Sequence, residues 1–280
     1  MSFSNTVSVS VRRRFFLGLA LVGLVGWHGL VQAETLTARE IMERVDDRYT
    51  GDSSVADAQL ILIDRNNRER VRDLRLYTLE EEGVTKGVTF FMAPTDVAGT
   101  AYLSYDYDTQ DDEAWLYLPA LKQVRRVAAG DRSDSFMGSD FTYSDLNGTT
   151  IDWYDYELLS DQEVVDGAST WLIESTPKPE FRDRVLRETG YERSHLWIRQ
   201  DNFVQVQAQI WVERGGRIKY FSARELEEID GIWTAKRIQM ITTRNGQREH
   251  ASVFQTHNIR YNEHNDASLF TTQAMQQGVN

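Results

Sequence analysis

The sequence predicts a mainly β protein built on a single large, curled antiparallel sheet, with a few helices covering its concave side. Three observations lead to this prediction: long runs of alternating apolar and polar residues, tight-turn dipeptides between those runs, and few helix signals. We expect about ten strands or more, and a sheet of that size curls because twist accumulates from strand to strand.

The C-terminal half carries the clearest strand pattern. In the run FVQVQAQIWVE the apolar residues share one face, because successive side chains of a strand point to opposite faces. These residues are Val204, Val206, Ala208, Ile210 and Val212. Turn dipeptides follow at Gly215-Gly216, Asp230-Gly231 and Asn245-Gly246, and two-residue loops of this composition supply the positive φ that a hairpin needs. The pattern predicts a meander of long strands.

The segment TAREIMERVDDRY predicts a helix near the start of the folded chain. Thr37 and Glu40 form a capping-box pattern, and Ile41, Val45 and Tyr49 recur at helical spacing. After this helix, the runs VADAQLILID and RVRDLRLYTL flank the polar turn RNNRE, which predicts a hairpin. A final short helix is expected at SLFTTQAMQQ.

Residues 1–33 have the composition of a secretory signal peptide. Arg12, Arg13 and Arg14 give a positive start, Phe15 to Val31 is apolar, and VQA precedes Glu34. An uncleaved anchor is the alternative, although the apolar stretch is at the short end for spanning a bilayer. The residue before the arginines is Val rather than Ser or Thr, which favours the general route over a twin-arginine signal. We expect cleavage near Ala33-Glu34 and a product in the periplasm.

The remaining residues, 34–280, are expected to form a single domain. The leader carries three arginines and no acid, so its removal takes the formal net charge from −12 to −15. An acidic chain repels phosphate backbones, which makes nucleic acid an unfavourable partner. The sequence has no cysteine, and disulfides and thiolate chemistry are therefore excluded.

The sequence contains no recognisable catalytic or metal-binding motif. Its histidines downstream of the leader are His195, His250, His257 and His264, and none forms a metal pair at helical spacing. No Gly-Xaa-Ser-Xaa-Gly nucleophile motif is present. We therefore expect no catalytic residue, no metal and no cofactor. Adjacent acids such as Asp46-Asp47 and Asp111-Asp112 favour an acidic surface, although a hydrolase with an unrecognised carboxylate pair stays open.

Two short segments are apolar on both faces of a predicted strand. VTFFMAP contains Phe90 and Met92, and AWLYLPAL contains Trp115 and Leu118. A strand that is apolar on both sides is covered on both sides, which a packed core explains. As a set, Met and aromatic side chains also suit a hydrophobic ligand cavity, because they repack easily around irregular ligands.

The stretch SDSFMGSDFTYSDL places large apolar side chains among acids and small residues. These side chains are Phe136, Met137, Phe141 and Tyr143. Gly138 among them allows a tight turn. Two interpretations fit: the side chains plug the protein's own core, or they touch a hydrophobic ligand.

Three motifs follow the leader in order: LTAREIMERVDDRY, WLYLPALKQVRRV and SDSFMGSDFTYSDL. The most specific part runs from Trp115 to Leu146, with YLP, the Arg125-Arg126 pair and SFMGSDF in succession. In these motifs the chain resembles the outer-membrane lipoprotein-sorting proteins, a branch of the LolA-like superfamily. The resemblance extends over essentially the whole of residues 34–280.

The resemblance implies an unclosed antiparallel β-barrel whose helices form a lid over a cavity for acyl chains. The expected partners are a lipid or acylated protein cargo, an inner-membrane exporter of the resistance-nodulation-division type, and an outer-membrane acceptor. The protein would be a periplasmic carrier and not an enzyme. A periplasmic lipid-sensing regulatory protein is the first alternative, and the hydrolase is the second.

The resemblance also assigns expected roles to the singled-out residues. Residues Phe136, Met137, Phe141 and Tyr143 would close or line the mouth of the cavity. Arg125 and Arg126 would contact an anionic head group or a partner protein. Ion pairing of these arginines with acids of the next loop, Asp131, Asp134 or Asp140, is the alternative.

Overall fold

The computed structural model describes residues 36–148, 150–263 and 266–279. The predicted signal peptide, its cleavage site and His264 lie outside the described residues. Among the described helices, none has the length and apolar character needed to cross a membrane.

The described chain is dominated by strands that alternate in burial along their length. In chain order they are β1 (Ser53–Asp64), β2 (Glu69–Glu81), β3 (Val84–Ala93), β4 (Ala101–Tyr107), β5 (Glu113–Leu118), β6 (Gln123–Arg126), β7 (Tyr154–Val165), β8 (Ala168–Pro177), β9 (Tyr191–Arg199), β10 (Gln205–Val212), β11 (Arg217–Ile229), β12 (Ile232–Arg244) and β13 (Gln247–Tyr261). The helices are α1 (Ala38–Asp46), α2 (Arg182–Thr189) and α3 (Thr272–Gln277).

All thirteen strands described belong to one antiparallel sheet. The spatial order is β6-β5-β4-β3-β2-β1-β13-β12-β11-β10-β9-β8-β7. The first and last strands of the chain, β1 and β13, pair in the middle, and β6 and β7 form the two edges. The predicted fold class is confirmed: the described chain is mainly β, and its antiparallel sheet is large and unclosed.

The predicted hairpins of the C-terminal half are confirmed by the backbone. β11 follows Gly215-Gly216, and the next two turns have left-handed φ angles, with Asp230 at 52° and Asn245 at 51°. Each of these residues precedes a glycine that also has positive φ, as a two-residue hairpin loop requires. The turn chemistry therefore fixes the register of the meander β10–β13.

The N-terminal helix α1 begins with the predicted capping box. The Thr37 hydroxyl accepts from the Glu40 amide at 3.2 Å, and the Glu40 carboxylate accepts from the Thr37 amide at 2.8 Å. Ile41 and Met42 are buried on the sheet side of the helix. Tyr49 lies beyond the end of α1 and is exposed, contrary to its helical spacing, because the helix ends at Asp46.

The sheet curls so that strands from both of its halves contribute to one core. The main cluster combines Leu60 of β1, Phe91 of β3 and Tyr102 of β4 with Ile173 of β8 and Ile198 of β9. These strands are far apart in the sheet order, and only curling brings their side chains together. We call the face that carries this cluster and α1 the inner face.

The outer face of β3–β5 carries a second, smaller cluster. Phe90 precedes Phe91 and points the other way, into a cluster with Leu103, Phe270 and Met275. Helix α3 therefore covers the outer face, whereas the sequence placed the helices on the concave side. The reason is that β3–β5 are apolar on both faces, so both faces need cover.

Candidate functional site

A cavity of about 330 Å³ lies between the inner face of the C-terminal strands and the segments that cover it. This volume is at the lower end of the range of roughly 300–1,000 Å³ that is typical of small-molecule sites. Apolar side chains from β9–β13 form one side, which we call the apolar wall: Leu196, Ala208, Ile210, Phe221, Ile238, Met240 and Phe254.

The cover over this cavity is formed by α1 and by residues 127–148 and 150–153, which we call the lid loop. Its central part folds back on itself, and the Phe136 amide donates to the Phe141 carbonyl at 2.7 Å. Met137 has a left-handed φ of 51°, followed by Gly138 at 76°. Arg72 of β2 donates to the Met137 carbonyl. The lid loop is thus held in one conformation by main-chain hydrogen bonds.

Phe136 fills the inner face of the N-terminal half of the sheet. Its side chain is buried, and its ring centroid lies 6.0 Å from that of Phe91, 5.4 Å from Tyr102 and 5.5 Å from Tyr143. Met137 packs against the same cluster. These side chains fit the interpretation of the stretch as a plug of the protein's own core.

The Phe141 side chain lies against the cavity. Its ring centroid lies 5.0 Å from that of Phe254, and both residues line the cavity. Phe136 and Phe141 both belong to the main core, and of the two only Phe141 also lines the cavity.

Asp140, between these two aromatic residues, fastens the lid loop to β13. Its amide donates to the Ser252 hydroxyl at 2.9 Å, and that hydroxyl donates to Asp140 Oδ2 at 2.7 Å. His250 Nδ1 donates to the same carboxylate oxygen at 2.7 Å. Asp140 and Ser252 are both buried, so the loop is attached to the sheet by hydrogen bonds that are screened from water.

Tyr191 separates the cavity from an open polar cleft of about 1030 Å³, which it also lines. On the cavity side, its hydroxyl donates to the Asp145 carboxylate at 2.8 Å. On the cleft side, Lys219 Nζ donates to the Tyr191 hydroxyl at 2.9 Å and lies 3.8 Å from Asp145 Oδ2. Burial raises the pKa of Tyr191 well above its usual value and lowers the pKa of Lys219. At this point the single side chain of Tyr191 separates the cavity from the cleft, with the charge pair of Asp145 and Lys219 beside it.

A second buried charge cluster borders the cavity where α2 meets the lid loop. Arg132 Nη1 lies 3.1 Å from Glu188 Oε2, and Arg184 Nε lies 2.9 Å from Glu188 Oε1. Arg132 also donates to the Asp112 carbonyl and lies 3.8 Å from the Asp112 carboxylate. Burial, together with the neighbouring Asp106 carboxylate, raises the pKa of Asp112 to about 6. Asp112 is thus a cavity-lining acid that holds its proton more tightly than a fully solvated aspartate does.

The Asp106 and Asp112 carboxyls are close enough to share a hydrogen bond. Glycoside hydrolysis needs two carboxyls that are separated by about 5–9 Å. The Asp106 carboxylate also accepts a hydrogen bond from the Gly148 amide at 2.9 Å. In the described part of the chain, no group of three or more His, Asp and Glu side chains could hold a metal ion.

The remaining sequence-predicted residues do not meet in this cavity. Phe90 and Trp115 belong to the outer-face cluster, because alternation along β3 and β5 points them away from the inner face. Met92 is 39% exposed, and Leu118 is half-buried at the end of β5. Tyr143 packs on Phe136 in the main core.

The arginine pair of β6 lies on the edge strand and splits between the two faces. Arg126 forms an ion pair with Glu113 at 2.6 Å, which differs from the Asp131, Asp134 and Asp140 partners considered from the sequence. Arg125 is exposed, and the structure gives it no ion pair among the described residues.

Most of the cavity-lining residues were not singled out from the sequence. Ala208 and Ile210 were assigned to one face of a strand, but alternation does not say whether the space beyond that face is filled or hollow. The polar residues Asp145 and Tyr191 carried no local signal, since their partners come from distant parts of the chain. Asp112 was assigned with Asp111 to an acidic surface, whereas the structure places it half-buried at the cavity.

Comparisons with known proteins agree with this geometry. A model for a family described as an uncharacterized protein matches residues 83–277. A "putative outer membrane lipoprotein-sorting protein domain" from Vibrio parahaemolyticus is 28% identical, with a TM-score of 0.75 over 85% of this chain and 98% of that chain. A DUF1329 family protein from Desulfovibrio piger is also 28% identical, with a TM-score of 0.74 over 85% of this chain and 97% of that chain.

A LolA superfamily protein from Nitrosomonas europaea shares the fold at 19% identity, with a TM-score of 0.63 over 86% of this chain and 100% of that chain. No curated protein matches the sequence. The unclosed sheet with a covered inner cavity is a LolA-like fold. The chain belongs to the family whose model matches residues 83–277.

Proposed function

We propose that this protein is a periplasmic carrier that holds a lipid, the acyl chains of a lipoprotein or a lipid-like molecule in the cavity behind the lid loop. It passes this cargo from inner-membrane export machinery towards the outer membrane. The observation that carries the proposal is the cavity that has an apolar wall formed by β9–β13 and is partly covered by the lid loop.

The size and chemistry of the cavity suit a carrier that must release its cargo. Burying lipid chain is favourable by about 0.8 kcal/mol per methylene, so a long chain that was completely buried would leave slowly. This cavity is small and combines the apolar wall with a polar wall made of residues such as Asp112, Asp145 and Tyr191. Partial burial of a chain in such a space gives reversible binding.

The route is proposed from the leader and from the relatives. The leader at residues 1–33 directs residues 34–280, a single LolA-like domain, to the periplasm. One relative is named for lipoprotein sorting, which supports a lipid or acylated cargo. The acidic surface, with a net charge of −12 for the whole chain, reduces nonspecific adhesion to anionic membranes. The inner-membrane exporter and the outer-membrane acceptor are the proposed partners.

The first test is to identify the cargo directly. The protein is purified from the periplasm of its own organism without detergent, and native mass spectrometry measures the mass of the intact complex. We expect a lipid adduct that organic extraction releases. A protein that repeatedly carries no adduct and gains none on exposure to total membrane lipid would contradict the proposal.

The second test fills the cavity from β10, and urea denaturation checks that each variant is folded before binding is measured. Ala208→Phe places a ring from β10 into the cavity, whereas Gln207→Phe places the same ring on the outer face of the same strand. We expect Ala208→Phe to weaken binding of the uncharged fluorophore N-phenyl-1-naphthylamine at least tenfold and Gln207→Phe to leave it within twofold. Equal binding by both variants would show that the fluorophore occupies another site.

A further inference from the structure

The cavity has a polar wall as well as an apolar wall. The polar wall is formed by the lid loop, the end of α2, the residue that precedes β5 and the first residue of β9. Its members are Asp112, Arg132, Ser144, Asp145, Asn147, Thr150, Glu188, Thr189 and Tyr191. An occupant whose tail lies on the apolar wall therefore has its head among hydroxyls, an amide and carboxylates.

The cations that line the cavity are already engaged. Arg132 contacts Glu188 at 3.1 Å and donates to the Asp112 carbonyl. Arg193 lies 3.0 Å from Glu174 and stacks over the Trp211 ring at 4.0 Å, both on the outer face. Among the described residues that line the cavity, no other Lys or Arg is present. An incoming anion would find no unengaged cation on this wall.

Lys219 adds no free cation to the cavity, because its side chain lies on the cleft side of Tyr191. Its ammonium donates to the Tyr191 hydroxyl and lies 3.8 Å from Asp145, and its residue lines the outer cleft. From that side it offsets the charge of Asp145. A head group inside the cavity meets the Tyr191 ring and the Asp145 carboxylate first.

The acids of the polar wall would repel a negative head group. Asp112, Asp145 and Glu188 all line the cavity. Glu188 is paired with Arg132 and Arg184, and Asp145 lies near Lys219, so a negative head group would face carboxylates whose cations are already engaged, and like charges a few ångströms apart in a weakly solvated site disfavour each other. A hydroxyl, in contrast, can donate to a carboxylate and accept from a neighbouring Ser, Thr or Tyr hydroxyl. The wall satisfies a neutral polar head and penalises an anionic one.

We propose that the cargo is an amphiphile with an uncharged, hydroxyl-bearing head, and that the cavity discriminates against lipids that carry a free carboxylate. This inference rests on the proposed function, since it takes the cavity to be the lipid site. Asp145 and Asp112 are the specificity-determining residues.

The test measures competition at pH 8 in the purified mature protein. Decanol and decanoate, which have the same chain length, compete separately with N-phenyl-1-naphthylamine. Because decanol partitions better into any apolar site, the informative quantity is the change in the acid-to-alcohol preference between variants. Asp145→Asn and Asp112→Asn keep the shape of the side chain and remove its charge. Asp161→Asn, on the exposed edge strand β7, is the matched control.

We expect Asp145→Asn and Asp112→Asn each to strengthen decanoate competition about fivefold to tenfold relative to decanol. Asp161→Asn should change neither competitor. If both cavity variants keep the wild-type preference while decanol still competes, the inference is overturned and the carrier proposal stands. If neither compound displaces the fluorophore from the wild type, the carrier proposal itself fails. Should one variant fail to fold, the other decides the question alone.

Discussion

His250 and Asp140, 110 residues apart in the sequence, form a hydrogen bond of 2.7 Å between Nδ1 and Oδ2. The same carboxylate oxygen accepts from the Ser252 hydroxyl. This single acid joins the lid loop to the central strand β13, at the position between the core aromatic Phe136 and the cavity aromatic Phe141. Its position makes the lid loop part of the folded core rather than a freely moving flap.

Replacing Asp140 should therefore destabilise the whole fold. Asp140→Ala leaves the buried Ser252 hydroxyl without its acceptor, and a lost partner of this kind costs about 1–3 kcal/mol. Asp134→Ala, at an exposed position of the same loop, should change the free energy of unfolding by less than about 0.5 kcal/mol. Urea denaturation measures both. Equal midpoints for the two variants would show that the Asp140 contacts contribute nothing.

The two phenylalanines of the lid loop should separate stability from binding. Phe136→Ala removes a buried ring from the core and should cost about 3–5 kcal/mol, with little effect on fluorophore affinity in the folded fraction. Phe141→Ala should cost less, because part of its environment is the cavity, and should weaken fluorophore binding several-fold. Paired urea and fluorescence titrations distinguish the two. A Phe141→Ala protein with intact binding and a stability loss as large as that of Phe136→Ala would make Phe141 a plug as well.

The buried ion cluster around Glu188 should be sensitive to loss of one partner. Glu188→Ala leaves Arg132 buried without its closest carboxylate, and breaking a buried pair in this way costs about 3–5 kcal/mol. The exposed pair of Glu227 with Lys236, at 3.1 Å, supplies the comparison, since Glu227→Ala should cost no more than about 1 kcal/mol. Thermal or urea unfolding checks the difference. A cost for Glu188→Ala as small as that of the exposed pair would mean that Arg132 finds compensation elsewhere.

Asp112 should make stability fall as pH rises. Its pKa is raised to about 6 in the folded protein, above the value of about 3.9 in an unfolded chain. The folded state therefore binds the proton more tightly. The associated stability is fully present below about pH 4 and is lost as pH rises through about 6. Because the side chain is only partly buried, we expect an effect of about 1–3 kcal/mol between pH 4 and pH 8.

The variant Asp112→Asn isolates this contribution from that of other titrating groups. The difference in unfolding free energy between Asp112→Asn and the wild type is measured by urea denaturation at intervals from pH 4 to pH 8. We expect the variant to gain relative stability as pH rises. A difference that stays constant across this range would show that Asp112 titrates alike in the folded and unfolded states.

Features that depend on neighbouring residues were predictable from the sequence. The Thr37–Glu40 capping box and the Asp230-Gly231 and Asn245-Gly246 turns are local, and the structure contains each of them. The family resemblance then supplied the unclosed sheet and its lid. In each case the relevant signal lies within a few residues or in a recognisable motif order.

Features that depend on the three-dimensional path of the chain were not predictable. Phe90 and Phe91 have the same chemistry, and nothing local shows that Phe91 faces the main core and Phe90 the outer cluster. Asp145, Tyr191 and Lys219 lie far apart in sequence and meet only after the sheet has curled. The cavity is a space that no side chain fills, and a pattern of apolar residues does not predict where such a space will form.

The free edges of the sheet leave the radius of its curl adjustable. A closed barrel has a radius set by its strand number and stagger, so it can widen only by breaking inter-strand hydrogen bonds. Here β6 and β7 end the sheet and are not paired with each other. The curl of the sheet can therefore tighten or loosen while every inter-strand hydrogen bond stays intact. The lid loop, which connects β6 to β7, limits how far these two edges can separate.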